Sequence, residues 1–484
     1  MRQRTPNLPD HQLEIRDSRV FVGLSALMVW APLPLASNRT WAVGILVLCT
    51  LLLLAGTAYA WRHDADAASS RLSRFRWPLL LLGGFTLLAW LQTLPLPESW
   101  LALLSPETLR VERGITAPRL SIDVFRTRIY ASLSFAYLSC FLVAVLTLRT
   151  GPRLDRMAQV LVASGVLQAL LGVFLFSSGA SYRLFYSDVS HVTVIGSYIN
   201  RNHFAGYMEL CLSIGIGLML ARLGTERTPG GNWRHKLSRA LAFVISPKMR
   251  LRLMLVIMVI ALVLTRSRMG NSAFFAAMLV VGLVTIVLAR RAAPATVGLI
   301  LSLVIIDVFV VGTWVGLEKV VERVHGTNMT VSQGGAEESV EAREDAASYA
   351  LPLIRDFPVF GTGGGSFYTS YMRYRTQRPG FFDHAHNDYI EIAADCGLLG
   401  LGMLLALAAS TAWKALRVLR QRHSSLPRGI AFGVLMSIVA LGIHSAVDFN
   451  LQIPANALTL VLILAMGWVA ADLPSSGSGR RGAG

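Results

Sequence analysis

Three short segments hold residues able to do chemistry at a membrane face: Asn200-Arg201-Asn202-His203, Thr265-Arg266-Ser267-Arg268-Met269-Gly270, and His384-Ala385-His386-Asn387-Asp388 with Glu391 one turn further on. A guanidinium is a planar fork of N–H donors that grips phosphate oxygens in pairs, so Arg201, Arg266 and Arg268 suit a phosphorylated ligand such as a lipid diphosphate. An imidazole is neutral near pH 7 and can take a proton from a hydroxyl. That makes His386 a candidate general base, with Asp388 and Glu391 as carboxylates placed to orient it. The same residue types permit plainer readings, in which the arginines snorkel to lipid headgroups and the histidine caps a helix. A metal held by His384, His386 and Asp388 is less favoured, because alternating neighbours converge on one ion less readily than ligands at i and i+4 on a helix. No metal and no cofactor is expected. The run Gly361-Thr362-Gly363-Gly364-Gly365 lacks the Lys-Ser or Lys-Thr of a phosphate loop. Its glycines are expected to let the backbone turn tightly beside a ligand or the membrane surface.

What must position these segments is a bundle of membrane helices. Of 484 residues, 54% are hydrophobic and only 15% charged, more apolar surface than one soluble core can hide. The expected fold class is all-α, a polytopic transmembrane helical bundle of about 12 spans. The apolar stretches run near 20–37, 41–60, 77–94, 129–148, 157–176, 204–221, 253–265, 271–289, 295–313, 392–412, 429–447 and 455–471. The corresponding division is a cytoplasmic amino-terminal tail (1–19), spans 1–9 (20–313), a large, partly helical periplasmic loop (314–391), spans 10–12 (392–471) and a flexible cytoplasmic tail (472–484). With the amino terminus inside, 28 of the 45 Lys and Arg fall in cytoplasmic segments, and losing one span would invert every loop downstream. The formal charge of +17 is then an excess facing anionic headgroups and argues against a nucleic-acid partner. The polar lead with Arg16 and Arg19 before the first span reads as a retained signal-anchor. Cys49, Cys140, Cys211 and Cys396 form no metal-type pair or disulfide framework.

This topology puts all three polar segments on the non-cytoplasmic side. Two outer stretches are long enough to fold. Pro97 to Arg113 reads as an interfacial amphipathic helix or an ordinary linker. The larger loop holds a helix from Glu337 to Arg355 ended by Asp356-Phe357-Pro358. Glu209 and Asp307 lie inside apolar spans, where burial costs about 2.5–3.5 kcal/mol for an aspartate at mid-bilayer, so both should face the interior.

Taken together, the segments resemble the O-antigen ligase and polymerase superfamily of bacterial membrane glycosyltransferases. The resemblance is carried by His386-Asn387 followed, after nine intervening residues, by Gly397-Leu398-Leu399-Gly400. The Ser267–Gly270 turn, the Asn200–Gly206 segment and the stretch from Asp356 to Phe367 add to it, so that it covers roughly residues 195–410. The resemblance implies a Gram-negative inner-membrane enzyme that takes a glycan from undecaprenyl diphosphate on the periplasmic face. The acceptor would be a hydroxyl of lipid A-core, or of a second lipid-linked repeat in a polymerase; a protein O-glycosylating relative is a further variant. It implies that His386 is the base, that Arg268 holds the diphosphate with Arg201 or Arg266 as second clamp, and that His384, Asn387, Asp388 and Glu391 support them. It also implies inversion at the anomeric carbon and independence of metals; a chain-length regulator is an expected partner of a polymerase. Twelve spans with a basic loop after the sixth also outline a transporter. The long outer insert, the lack of matching halves and the gathering of polar motifs on one face count against that reading.

Overall fold

A chain that crosses lipid must satisfy its own N–H and C=O groups, and the apolar runs of this sequence do so as helices. The protein is seen in a computed structural model that describes residues 15–111, 114, 117–178, 182–183, 186–187, 193–223, 246–288, 348, 350–374 and 383–474. In chain order its first helices are α1 (Ser18–Trp30), α2 (Thr40–Trp61), α3 (Ala65–Arg74), α4 (Arg76–Leu91), α5 (Glu98–Leu104), α6 (Pro106–Val111), α7 (Val124–Thr147) and α8 (Gly151–Ser177). A two-stranded ribbon follows, β1 (Tyr182–Arg183) antiparallel to β2 (Tyr186–Ser187). Then come α9 (Arg201–Leu223), α10 (Pro247–Leu264), α11 (Arg268–Leu288), α12 (Phe367–Tyr371), α13 (Asp388–Gln421), α14 (Ser425–His444) and α15 (Pro454–Asp472).

Among the described residues eight helices are long and apolar enough to cross a membrane: α2, α7, α8, α9, α11, α13, α14 and α15. The expectation of about 12 spans is met only to that extent. The first stretch, 20–37, is helical only to Trp30, because Pro32 and Pro34 lack N–H donors and Leu35, Ala36 and Ser37 turn left-handed (φ 53°, 58° and 58°). The stretch 77–94 lies in α4, of 16 residues, and 253–265 lies in α10, whose first half carries Lys248, Arg250 and Arg252. The stretch 295–313 with Asp307, the basic residues from 224 to 245, most of the loop 314–391 and the tails 1–14 and 475–484 lie outside the described residues. Pro97 to Arg113 is helical in part, as α5 and α6, with Leu101 buried and Trp100 and Leu103 exposed. Of the helix expected from Glu337 to Arg355, the described end is helical over 350–356.

The interior is built on α9. Of its most apolar window 94% is buried, against 22% for α2, so among the described residues α9 is the central strut and α2 the most exposed of the eight long helices. Gly217, Gly429 and Gly433 form the seam between α9 and α14: a Cβ at Gly217 would meet the Gly429 carbonyl, and one at Gly433 would lie 2.8 Å from the Ser213 carbonyl. Small residues let backbones approach this closely where lipid gives no hydrophobic drive. Glu209, as its cost demands, is wholly buried on α9 and meets Nδ1 of His444 on α14 at 2.7 Å.

α13 is broken at Gly397 (φ 68°), and the break is filled by the outer segment before α12. Leu398 N–H donates to the Pro358 carbonyl (2.8 Å) and Leu399 N–H to Val359 (3.4 Å), while the Ala394 and Asp395 carbonyls accept from Thr362 and Gly363 N–H, both at 2.9 Å. The groups that the helix cannot pair internally thus find partners in one stretch of turns, 358–363. A side chain at Gly361 (φ 71°) would strike the Asp395 carbonyl, and one at Gly364 the Tyr130 ring. The glycine run therefore turns tightly against the broken helix and the Tyr130 ring. Gln92 at the end of α4 locks the joint, donating to the Phe360 and Asp395 carbonyls (2.6 and 3.0 Å) and accepting from Gly364 N–H (3.0 Å).

The two ends of the bundle differ in chemistry. At one end Arg149 and Arg153 close on buried Asp17 (2.8 and 2.7 Å), Arg71 and Arg74 on Asp472 (3.3 and 3.0 Å), and Arg422 donates to the Ala471 carbonyl (2.6 Å). These belong to the basic segments read as cytoplasmic. The starts of α9, α11, α13 and α15 and the end of α14 gather at the other end.

Candidate active site

Asn387 opens α13 as its N-cap: its Oδ1 accepts from Ile390 N–H (3.1 Å) and its Nδ2 donates to the Ala446 carbonyl (2.7 Å). Asp388, fully buried, turns to the loop after α14, where its Oδ2 accepts from Ser445 Oγ (2.7 Å) and Leu451 N–H (2.9 Å). Its own N–H donates to the Ser445 carbonyl (2.9 Å). Glu391 reaches back over the helix start, accepting from Ala385 N–H (2.8 Å) and contacting His384 Nδ1 (2.6 Å). Between these anchors His386 is held left-handed (φ 50°), a conformation that costs an L-residue about 1–3 kcal/mol and persists only when its neighbours fix it. Anchored on both sides in this way, the His386 ring is aimed by the backbone itself.

Three imidazoles surround one phenyl ring. His384 stacks on Phe449 at 4.0 Å between centroids, and His203 and His386 meet its face or edge at steep angles, at 4.4 and 5.0 Å. Next to Phe449 in sequence, buried Asp448 faces two of the three: its Oδ1 lies 3.4 Å from His203 Nε2 and 3.9 Å from His386 Nδ1. Among the described residues Asp448 is a carboxylate that faces His386, and Asp388 serves the loop that carries it. At 3.9 Å the contact with His386 is longer than a hydrogen bond and sets the carboxylate on the Nδ1 side of the ring, leaving Nε2 on the far side. His384, His386 and Asp388 turn to three separate partners and do not converge on a shared point.

The outermost of the three imidazoles is His384, with its side chain about a quarter exposed. Burial works against its charged form, but the Glu391 carboxylate outweighs that and lifts the ring to about 9. A histidine raised on folding contributes stability that is complete below its unfolded value of about 6.5 and is lost as pH rises through about 9. His384→Gln is therefore expected to lower the thermal unfolding midpoint most in mild acid, with the gap to wild type closing above pH 9 or so. A gap unchanged across that range would remove the ion pair from the account.

The arginines reach the same end of the bundle by another route. Arg201, half-buried, starts α9 two residues before His203. In the turn between α10 and α11, Thr265 Oγ1 accepts from Ser267 N–H (3.0 Å) and Ser267 Oγ accepts from Gly270 N–H (3.2 Å). This pair of hydroxyl caps puts Arg266 in a left-handed conformation (φ 54°) and leaves Arg266 and Arg268 exposed. The turn packs against α9 and the end of α14 through Gly270, where a Cβ would lie 2.6 Å from Ala205 Cβ and 3.2 Å from His444 Cε1. Among the described residues no carboxylate comes within ion-pair distance of Arg201, Arg266 or Arg268, although Glu209, Asp388, Glu391 and Asp448 are close by in the fold and engaged with other groups. The structure brings His384, His386, Asn387, Asp388 and Glu391 into one cluster and sets the three arginines around its helix starts.

Asp448, Phe449 and the base-like neighbour His203 were not singled out by residue type. The available signal was the polar run His444-Ser445-Ala446-Val447-Asp448-Phe449-Asn450 between the last two spans, which the charge pattern places on the same side as His386. Asn456 completes the link, donating to the His203 carbonyl (2.9 Å) and accepting from Tyr198 Oη (3.0 Å).

No curated protein sequence gives a significant match to the chain. Residues 253–405, roughly a third of the chain and the stretch that runs from before Arg266 through His386 to beyond Gly400, match the family described as O-antigen ligase, which supports the resemblance carried by the same motifs.

Proposed function

We propose that this membrane protein is a glycosyltransferase that moves a glycan from undecaprenyl diphosphate to an acceptor hydroxyl at the periplasmic face, with lipid A-core as acceptor. The observation that carries the reading is that His386, with Asp448 beside its ring, and Arg266 and Arg268, which no carboxylate among the described residues neutralises, gather at one end of the bundle, with His386 and both arginines inside the family-matched stretch. Displacing a diphosphate from an anomeric carbon builds negative charge on the leaving oxygens, and a hydroxyl attacking that carbon has to lose its proton. Guanidinium groups of Arg268 and of Arg201 or Arg266 answer the first need. His386 answers the second, taking the proton at Nε2 while Asp448 balances the new charge across the ring. The acceptor oxygen bonds to the anomeric carbon as the bond to the diphosphate breaks, and attack from the opposite face inverts that carbon.

The test is reconstitution of the full-length protein in vesicles with a lipid-diphosphate glycan and lipid A-core, resolved by gel. A single capped product identifies a ligase. A ladder formed with a second lipid-linked repeat in place of lipid A-core identifies a polymerase with the same chemistry. Flux of the lipid-linked glycan across the vesicle without transfer to either acceptor would replace this reading by a transporter.

A further inference from the structure

At the end of the bundle remote from His386, α2, α3 and α4 line a groove of about 740 Å³. Its lining is mainly apolar, with Trp61, Leu72, Leu79, Leu80 and Leu146, and includes the exposed Arg62 and Arg76. These two arginines keep different company from their neighbours. Arg16 pairs with Asp64 (3.1 Å), Arg71 and Arg74 with Asp472, and Arg149 and Arg153 with Asp17. Among the described residues no carboxylate comes within ion-pair distance of Arg62 or Arg76. Each instead lies over an exposed aromatic ring: the Arg62 guanidinium carbon sits 3.7 Å from the Tyr59 centroid, and that of Arg76 sits 5.4 Å from Trp77. Stacking occupies the faces of a guanidinium and leaves its in-plane donors for an anion; Arg62 uses one of them on the Tyr59 carbonyl (2.8 Å).

A cleft with a mainly apolar lining and two exposed cations fits an amphiphile whose anionic group sits where headgroup meets tail. A zwitterionic headgroup sets its own cation against the phosphate and so offers the two guanidiniums less net charge, and a water-soluble anion would leave the apolar lining bare. We infer that this groove seats one anionic phospholipid, with its phosphodiester between Arg62 and Arg76 and an acyl chain along Leu72, Leu79, Leu80 and Leu146. The paired donors of the two forks match phosphate oxygens, and basic pockets between membrane helices hold acidic headgroups by this chemistry. The seat is separate from the glycan chemistry, so its test does not depend on transfer.

Full-length protein in a neutral detergent is titrated with phosphatidylglycerol, with phosphatidylcholine of the same chains, and with glycerol phosphate. Lipid retained is read by native mass spectrometry and stability by thermal unfolding. Phosphatidylglycerol is expected to bind as one retained molecule and to raise the unfolding midpoint, phosphatidylcholine to be retained at least several-fold more weakly, and glycerol phosphate to leave both readings at baseline. The double variant Arg62→Gln/Arg76→Gln is expected to bind it about 30-fold more weakly, at the usual worth of two juxtamembrane cations. Arg19→Gln, on the same end but away from the groove, is expected to behave as wild type. Equal retention of phosphatidylcholine, or undiminished binding by the double variant, overturns the assignment. If the double variant does not fold, the comparison of the two lipids on wild type decides alone.

Discussion

His386→Asn is expected to insert and fold like wild type yet lose glycan transfer by about 10²–10⁴-fold, the usual worth of a positioned general base. Asparagine is the informative replacement, because it tolerates the left-handed backbone that His386 adopts (φ 50°) and cannot take a proton at neutral pH. His386→Ala should lose as much transfer and in addition some stability, since alanine pays more for that conformation. Comparing the two separates strained backbone from missing base. Asp448→Asn should lower transfer less and shift its pH profile, because the carboxylate acts through the imidazole and not on the sugar. Product is scored by gel after confirmed membrane insertion. Transfer by His386→Asn within a few-fold of wild type would take the base away from this residue and move the search to His203 or His384.

Arg268→Ala should reduce kcat/KM by about 10²–10³-fold, as loss of a donor aimed at developing oxyanion charge does. Arg268→Lys restores the charge but not the two-pronged geometry, so it should recover only part of the loss. The second clamp is decided by a contrast between backbone and side chain. Arg266 is left-handed, so Arg266→Gly relieves strain and should raise stability by up to about 1 kcal/mol, whatever the chemistry. If that variant keeps full transfer while Arg201→Ala loses it, Arg201 is the partner of Arg268; the reverse pattern gives the place to Arg266. Full activity of Arg268→Ala in the reconstituted system would dismiss the diphosphate clamp.

Hydropathy alone located the helices because a span is a collective property of about 20 residues, and single errors average out. Eleven of the twelve apolar stretches overlap a described helix, and only 295–313 lies outside the described residues. Length was less legible: two prolines end α1 at Trp30, and α13 runs well past its apolar window to Gln421, where Lys414 and Arg417 snorkel over Trp468 and Trp413. Site membership followed a different rule. His386, Glu391 and Asn387 were readable because they cluster in sequence at one helix start. Asp448 and His203 were not, because what makes them neighbours is the packing of the α14–α15 turn against the head of α9, a contact across more than two hundred residues. Glu209 was legible as a buried acid from its place in an apolar span, but its partner His444 was not, since many outer-end histidines satisfied the same description.

The way the Pro358–Gly363 stretch fills the gap in α13 bears on how relatives of this protein can be recombined. Chimaeras meant to exchange acceptor preference would naturally swap the outer loop as a cassette and keep the membrane helices. Here that cut would pass through a single shared hydrogen-bonded joint, leaving peptide groups at 394–399 without partners at the edge of the bilayer. The exchangeable module is therefore discontinuous: residues 357–366 travel with 394–400 and with the glutamine at 92, or the hybrid does not assemble.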